Sequence, residues 1–213
     1  MRIVIRRTCV TAIAVLGWAS SQAAAQSGLP RATSRGELRF ELGVQLSSVA
    51  SNEFDESDLG IGRRFSWHPI TPIGLEAEMT FYPRDFPDGR AFSRGRDEGL
   101  FGVTVGPRWG RLRPFARLRA GFMRFQEAPR PFPCILIFPP PLQCSLASGA
   151  TARAVDIGGG VEVFATSRTF LRIDAGDLLL RYPGPVFDSH RTPRQDGFIS
   201  HNFRVAAGGG FRF

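Results

Sequence analysis

Apolar side chains recur at every second residue in eight separate stretches of this chain, and no long segment carries the period of an amphipathic helix. Alternate residues fall on opposite faces only in extended backbone, so the chain is predicted to be all-β. The first strand, Glu37 to Ser47, sets Leu38, Phe40, Leu42, Val44 and Leu46 against Glu37, Arg39, Glu41, Gly43 and Gln45. Further strands are predicted over Asp58–His68, Ile73–Tyr82, Leu100–Arg108, Arg113–Gln126, Ala152–Phe164 and Phe170–Tyr182, and the last runs from His201 to Phe213. The seventh loses phase near Gly176-Asp177, where an unpaired extra residue, a β-bulge, would return Asp177 to the polar face.

The connections alternate in length. Pro69-Ile70-Thr71-Pro72, Trp109-Gly110-Arg111-Leu112 and Ala165-Thr166-Ser167-Arg168 are tight, while 49–57, 83–98, 127–150 and 183–198 are long and rich in Pro, Gly, Asp and Arg. An even number of strands with short turns at one end and long loops at the other is the pattern of transmembrane barrels, whose short turns are periplasmic. An up-and-down meander of eight strands then leaves both termini on the short-turn side.

Alternation alone does not say which face is inside, because soluble lipocalin-like barrels alternate too. The polar face decides it. Glycines such as Gly43, Gly62, Gly74, Gly102, Gly158 and Gly208 share that face with Arg39, Glu41, Glu76, Glu78, Arg117, Arg119, Asp156, Glu162, Arg172, Asp174, Arg204 and Arg212. On a solvated exterior these glycines would weaken the strands without packing gain. In an eight-stranded lumen, only wide enough for side chains to fill it, glycine yields volume to arginine and glutamate. The charges listed balance in sign, as confinement requires, so a plugged, internally paired lumen is expected. The opposite face carries Phe40, Phe65, Trp67, Phe81, Trp109, Phe122, Phe164, Phe203, Phe211 and Phe213. Trp67, Trp109 and Phe213 are expected at the periplasmic membrane interface.

At the N-terminus, Arg2, Arg6 and Arg7 precede a short apolar run from Val10 to Ala19, and Ala23-Ala24-Ala25 reads as a cleavage site, so residues 1–25 are expected to be a removed signal peptide. Residues 26–35 are expected to form a short periplasmic lead and 36–213 the barrel. Apart from the three leader arginines, 24 basic residues face 19 acidic ones, a net charge of +5 too diffuse to suggest nucleic acid. With Cys9 in the leader, Cys134 and Cys144 remain, and an oxidising envelope favours a disulfide between them. They bracket Ile135, Leu136, Ile137 and Phe138 in the longest loop, an apolar tip that either packs over the barrel mouth or presents a patch to a partner. Two cysteines without neighbouring histidines leave a zinc site incomplete, and no metal or cofactor site is read from the chain.

The segment Leu112-Arg113-Pro114-Phe115-Ala116-Arg117-Leu118-Arg119-Ala120-Gly121-Phe122 and the closing strand Phe203 to Phe213 resemble the outer-membrane β-barrel domain family, typified by the small barrel of outer-membrane protein A. The resemblance covers residues 36–213. It implies an eight-stranded antiparallel transmembrane barrel in the bacterial outer membrane, without the peptidoglycan-binding domain of larger members. It also implies that Phe203, Val205, Phe211 and Phe213 form the terminal signal read by the barrel assembly machinery.

A few barrels of this size act on lipid A or phospholipids through Ser and His at the external rim, and Ser189, His190, Ser200 and His201, with Asp188 and Asp196, fall near that rim. A nucleophile needs a base within hydrogen-bond reach, whereas adjacent Ser200 and His201 point to opposite faces of a strand. Gly158-Gly159-Gly160 and Gly208-Gly209-Gly210 lack the strand-to-helix setting of a phosphate loop. The expectation is therefore a monomeric, non-enzymatic surface-interaction barrel surrounded by outer-membrane lipids, whose loops meet an unidentified extracellular ligand. A rim-active lipid hydrolase or acyltransferase, a soluble lipocalin-like binder and a narrow pore are the alternatives.

Overall fold

The computed structural model describes residues 39–54, 56–83, 95–127, 134 and 137–213. Eight strands close into one antiparallel barrel: β1 (Phe40–Ser51), β2 (Glu56–Ile70), β3 (Ile73–Tyr82), β4 (Arg96–Val105), β5 (Leu112–Phe125), β6 (Ala150–Phe164), β7 (Thr169–Tyr182) and β10 (Phe198–Arg212). Each pairs with its sequence neighbours and β10 closes on β1. The loop between β5 and β6 carries a short helix, α1 (Leu142–Ala147), and the loop between β7 and β10 a two-residue hairpin, β8 (Val186–Phe187) with β9 (Pro193–Arg194). The leader, the lead and Ile135 and Leu136 lie outside the described residues.

Partner residues trace a helical path around the wall. From Glu41 it passes through Ser66, Glu76, Gly102, Arg119, Asp156, Leu178 and Asn202, and returns to β1 at Ser51, ten residues above its start. That stagger fixes the strand tilt and a narrow lumen that side chains fill. The seam is sealed where Phe40 and Phe213 exchange both backbone hydrogen bonds, at 3.0 and 2.9 Å, with their rings stacked at 6.1 Å between centroids.

The strands follow the sequence period, but β4 begins at Arg96 and β10 at Phe198, inside or at the edge of segments expected as loops, and two further readings change. The segment 49–57 is not a long loop, because β1 and β2 pair as far as Ser51 opposite Glu56. Small polar residues there disguise a strand whose Val49 points inward. Nor does β7 bulge, since its register against β6 and β10 is continuous through Gly176 and Asp177. The phase is lost because the inward face changes character: Leu178, Leu180 and Tyr182 continue the inner row of Arg172 and Asp174, while Asp177 faces out. The irregularity in the sheet lies elsewhere, between Trp67 and Ile70 of β2.

Candidate functional site

The interior divides into three tiers. At the short-turn end Phe115, Phe164 and Phe170 are buried, with the guanidinium carbon of Arg108 4.3 Å from the centre of the Phe164 ring and that of Arg172 4.1 Å from Phe115. Phe164, expected on the outward stripe, faces the lumen because it continues the inward row of Asp156 and Glu162.

The middle tier is ionic. Arg119 Nη1 donates to Glu76 (2.7 Å) and Glu78 (2.6 Å), while its Nε and Nη2 donate to Asp156 (3.0 and 2.9 Å). Arg117 donates to Asp156 at 2.7 Å and to Asp174. Arg172 joins Glu76 (2.6 Å), Glu162 (3.2 Å) and Asp174 (2.8 Å), and Arg204 bonds Glu78. Nearer the short turns, Arg212 meets Glu41 at 3.2 Å. Arg39 is the exception among the expected lumen charges: it sits just below the end of β1, past the rim, and is exposed.

Other lumen charges were not singled out from the sequence. Arg64, Glu98 and Arg113 are buried, and Asp58 pairs with Arg96. Arg64 donates to Gln45 at 2.7 Å and Arg113 to Glu162 at 3.2 Å. The signal for Arg64 was present, because Leu59, Ile61, Phe65 and Trp67 on one face of β2 put even-numbered residues on the other. Among the described residues the lumen then holds eight carboxylates (Glu41, Asp58, Glu76, Glu78, Glu98, Asp156, Glu162, Asp174) and eight guanidiniums (Arg64, Arg96, Arg113, Arg117, Arg119, Arg172, Arg204, Arg212). Burial of so many ions is tolerable only because each sign is matched. Glycine makes room for them: a Cβ on Gly160 would stand 2.6 Å from the Asp174 Cβ.

The loop-side tier is apolar. Val49, Tyr82, Leu100, Met123, Leu178 and Leu180 form one cluster, onto which α1 lowers Leu142 and Leu146, residues four apart and so on one helical face. The Tyr82 hydroxyl, 3.3 Å from both Glu98 and Ser47, marks the boundary with the ionic tier. α1 thus packs on the loop-side end of this cluster, while Ile137 and Phe138 stay exposed.

Outside, the wall is reversed. Leu42, Leu46, Ile61, Phe101, Leu118, Ile157, Leu171 and Ile173 are all exposed, as are Trp67, Trp109, Phe203, Phe211 and Phe213. Val205 also faces outward, 36% exposed.

The loops form a cap. Cys134 and Cys144 are joined, with Cα atoms 5.7 Å apart. The Phe187 N–H donates to the Pro140 carbonyl at 2.9 Å, tying the hairpin to the α1 loop, and Ser189 Oγ donates to Glu53 at 2.6 Å. Asp188 accepts from the Thr192 N–H (2.8 Å) and Arg194 (3.0 Å). Burial alone would raise the Asp188 carboxyl, but these donors outweigh it and hold it below its ordinary value. Between the loops opens a cleft of about 620 Å³ lined by Phe54, Ile137, Pro141, Leu142, Gln143, Phe187, Asp188, Ser189 and Arg191. At the rim Ser200 points inward and is buried, whereas His201 points outward and bonds Asp177 at 2.6 Å, so the two do not meet.

No protein-family model and no curated protein sequence matches the chain. Among solved structures it is similar to the N-terminal β-barrel domain of Pseudomonas aeruginosa OprF (TM-score 0.47, 11% identity, covering 81% of this chain and 97% of that one). It is also similar to Ail, the attachment invasion locus protein of Yersinia pestis, in complex with the heparin analogue sucrose octasulfate (TM-score 0.42, 15% identity, 82% and 97% covered). A third is Neisserial surface protein A (TM-score 0.42, 14% identity, 82% and 96% covered).

Proposed function

We propose that this chain is a bacterial outer-membrane barrel, closed to solutes, that displays a disulfide-braced loop cap for binding at the cell surface. The observation that carries the reading is the inside-out distribution of side chains: ions fill the core while a mainly apolar wall faces outward. In water such a wall far exceeds the apolar patches that soluble monomers tolerate. In lipid it is matched, and closure leaves the barrel no unpaired strand edge, as hydrocarbon demands. The soluble lipocalin-like alternative has the opposite polarity.

The ionic and apolar tiers together support a plug. The cleft lined by Ile137 and Phe187, next to the exposed Phe138, is the part of the cap suited to a partner, since it sets an exposed isoleucine and a half-buried phenylalanine beside Asp188 and Arg191. Separation of Ser200 from His201 supports a non-enzymatic role. Delivery by a cleaved leader, insertion by the assembly machinery through the Phe203 to Phe213 strand, and a monomeric state in outer-membrane lipid belong to the same reading.

Reconstitution into liposomes tests it. The protein is expected to float with the vesicles, to run faster on detergent gels unboiled than boiled, and to give no single-channel steps in planar bilayers. Recovery as a soluble species without detergent would overturn the membrane assignment, and steady conductance would overturn the plug. For the cap, I137S/F138S/F187S is expected to abolish attachment of expressing cells to a host-cell layer, and unchanged attachment would remove the cleft from the account.

A further inference from the structure

We infer that the outer rim of β5–β7 is a binding site for the phosphate of a membrane glycolipid. Arg153 of β6 and Arg181 of β7 are direct cross-strand partners, and both side chains are exposed on the outward face. Like charges directly opposite one another destabilise a sheet. A bridging anion reverses the sign of that interaction, because guanidinium forks bind phosphate oxygens in pairs.

Three surroundings support the site. A polar cavity of about 590 Å³ adjoins the two arginines, with Thr151 and Gln195 on its walls. Arg124 lies two residues along β5 from Phe122, the partner of Arg153, so arginines on three consecutive strands stand in one tier. Toward the barrel middle the same face turns apolar through Phe122, Val155 and Ile157, and the Asp177 carboxylate across from Ile157 is taken up by His201 at 2.6 Å. Cations above an apolar wall match a phosphate headgroup above acyl chains, and this selects a lipid over free phosphate. Two further carboxylates lie nearby. Asp196 lines the cavity, leaving two guanidiniums against one carboxylate there, and Asp97 faces Arg124 while accepting from Gln126 at 3.0 Å.

The inference rests on the membrane reading, and its test starts from protein already shown to be a heat-modifiable barrel in detergent, so that loss of one is distinguishable from loss of the other. Native mass spectrometry would follow the full-length barrel released from micelles containing bis-phosphorylated lipid A, dephosphorylated lipid A, or inorganic phosphate. Wild type is expected to retain one bis-phosphorylated molecule. R153Q/R181Q and the milder R181Q are expected to lose tenfold or more of that retention. R111Q/R168Q, which removes the same charge at the short-turn end, is expected to retain it fully. Equal retention of the dephosphorylated lipid, equal binding of inorganic phosphate, or retention unchanged in folded R181Q would each overturn the inference.

Discussion

Replacing Arg119 by leucine removes the hub of the lumen. Four hydrogen bonds from one guanidinium reach Glu76, Glu78 and Asp156, and all four side chains are at or below 1% exposure on the donor and acceptor sides. The loss is unequal among the three. Asp156 keeps two hydrogen bonds from Arg117 and Glu76 two from Arg172, whereas Glu78 keeps one from Arg204, an arginine it shares with Glu98, and one from the neutral Thr80 hydroxyl, so Glu78 is left with the largest uncompensated charge. Removing one partner of a buried pair costs about 3–5 kcal/mol. At about 1.4 kcal/mol per tenfold, the folded-to-unfolded ratio falls by a factor of roughly one hundred to several thousand. Urea unfolding in lipid vesicles, followed by the fast and slow gel bands, measures this directly. R119L/E78Q removes the stranded carboxylate as well and is expected to recover about half of the loss, because the surviving partner then faces a neutral acceptor. A cost for R119L below about 1 kcal/mol, the value of an exposed ion pair, would refute the claim that the lumen is a dry, mutually paired network.

Arg63 sits at the centre of β2 on the outward face, between Val44 and Met79, with no ion-pair partner among the described residues. R63L is therefore expected to stabilise the barrel in lipid by about 2–4 kcal/mol, checked by the same unfolding assay. L142A and L146A each empty a buried position at the loop-side mouth and are expected to cost about 2–5 kcal/mol locally, seen as faster amide exchange in 142–150 with the strands unchanged. The Asp188 carboxyl is held below its ordinary 3.8, so its contribution is complete above that pH and disappears as pH falls through the lowered value. Exchange at Thr192 should then stay slow at pH 5 and quicken only in stronger acid, whereas D188N should show it fast at neutral pH.

How much of this was legible in the sequence depended on the period-two signal. Where outward residues are large and apolar, as in Leu42, Val44 and Leu46 of β1 or Ile73 to Tyr82 of β3, both the strand and its inward face follow from alternation alone. The loop-side third was harder, because there the inward face is apolar as well. Leu178 and Leu180 then looked like a slip of register, and Val49 like part of a loop. Glu98 was hidden inside a segment taken for loop, although it belongs to the inward row of β4. The helix α1 spans only six residues, too short for its Leu142 and Leu146 pair to declare a period. Arg39 falls at a strand end, where the barrel rim decides whether a side chain is covered, whereas Phe164 follows the pleat of Asp156 and Glu162 and only its aromatic character suggested the outward stripe.

The most direct test of the central claim, an apolar exterior in lipid around an ionic interior, is the environment of single outward positions. Spin labels placed through cysteine at Leu46, Leu118, Ile157, Ile173 and Phe203, with the protein in bilayers, report collision with oxygen, which dissolves in lipid, and with a water-soluble nickel chelate. High oxygen and low chelate accessibility at all five positions is the predicted result. Chelate collisions at these positions as frequent as at exposed Arg39 would contradict it and return the apolar wall to water.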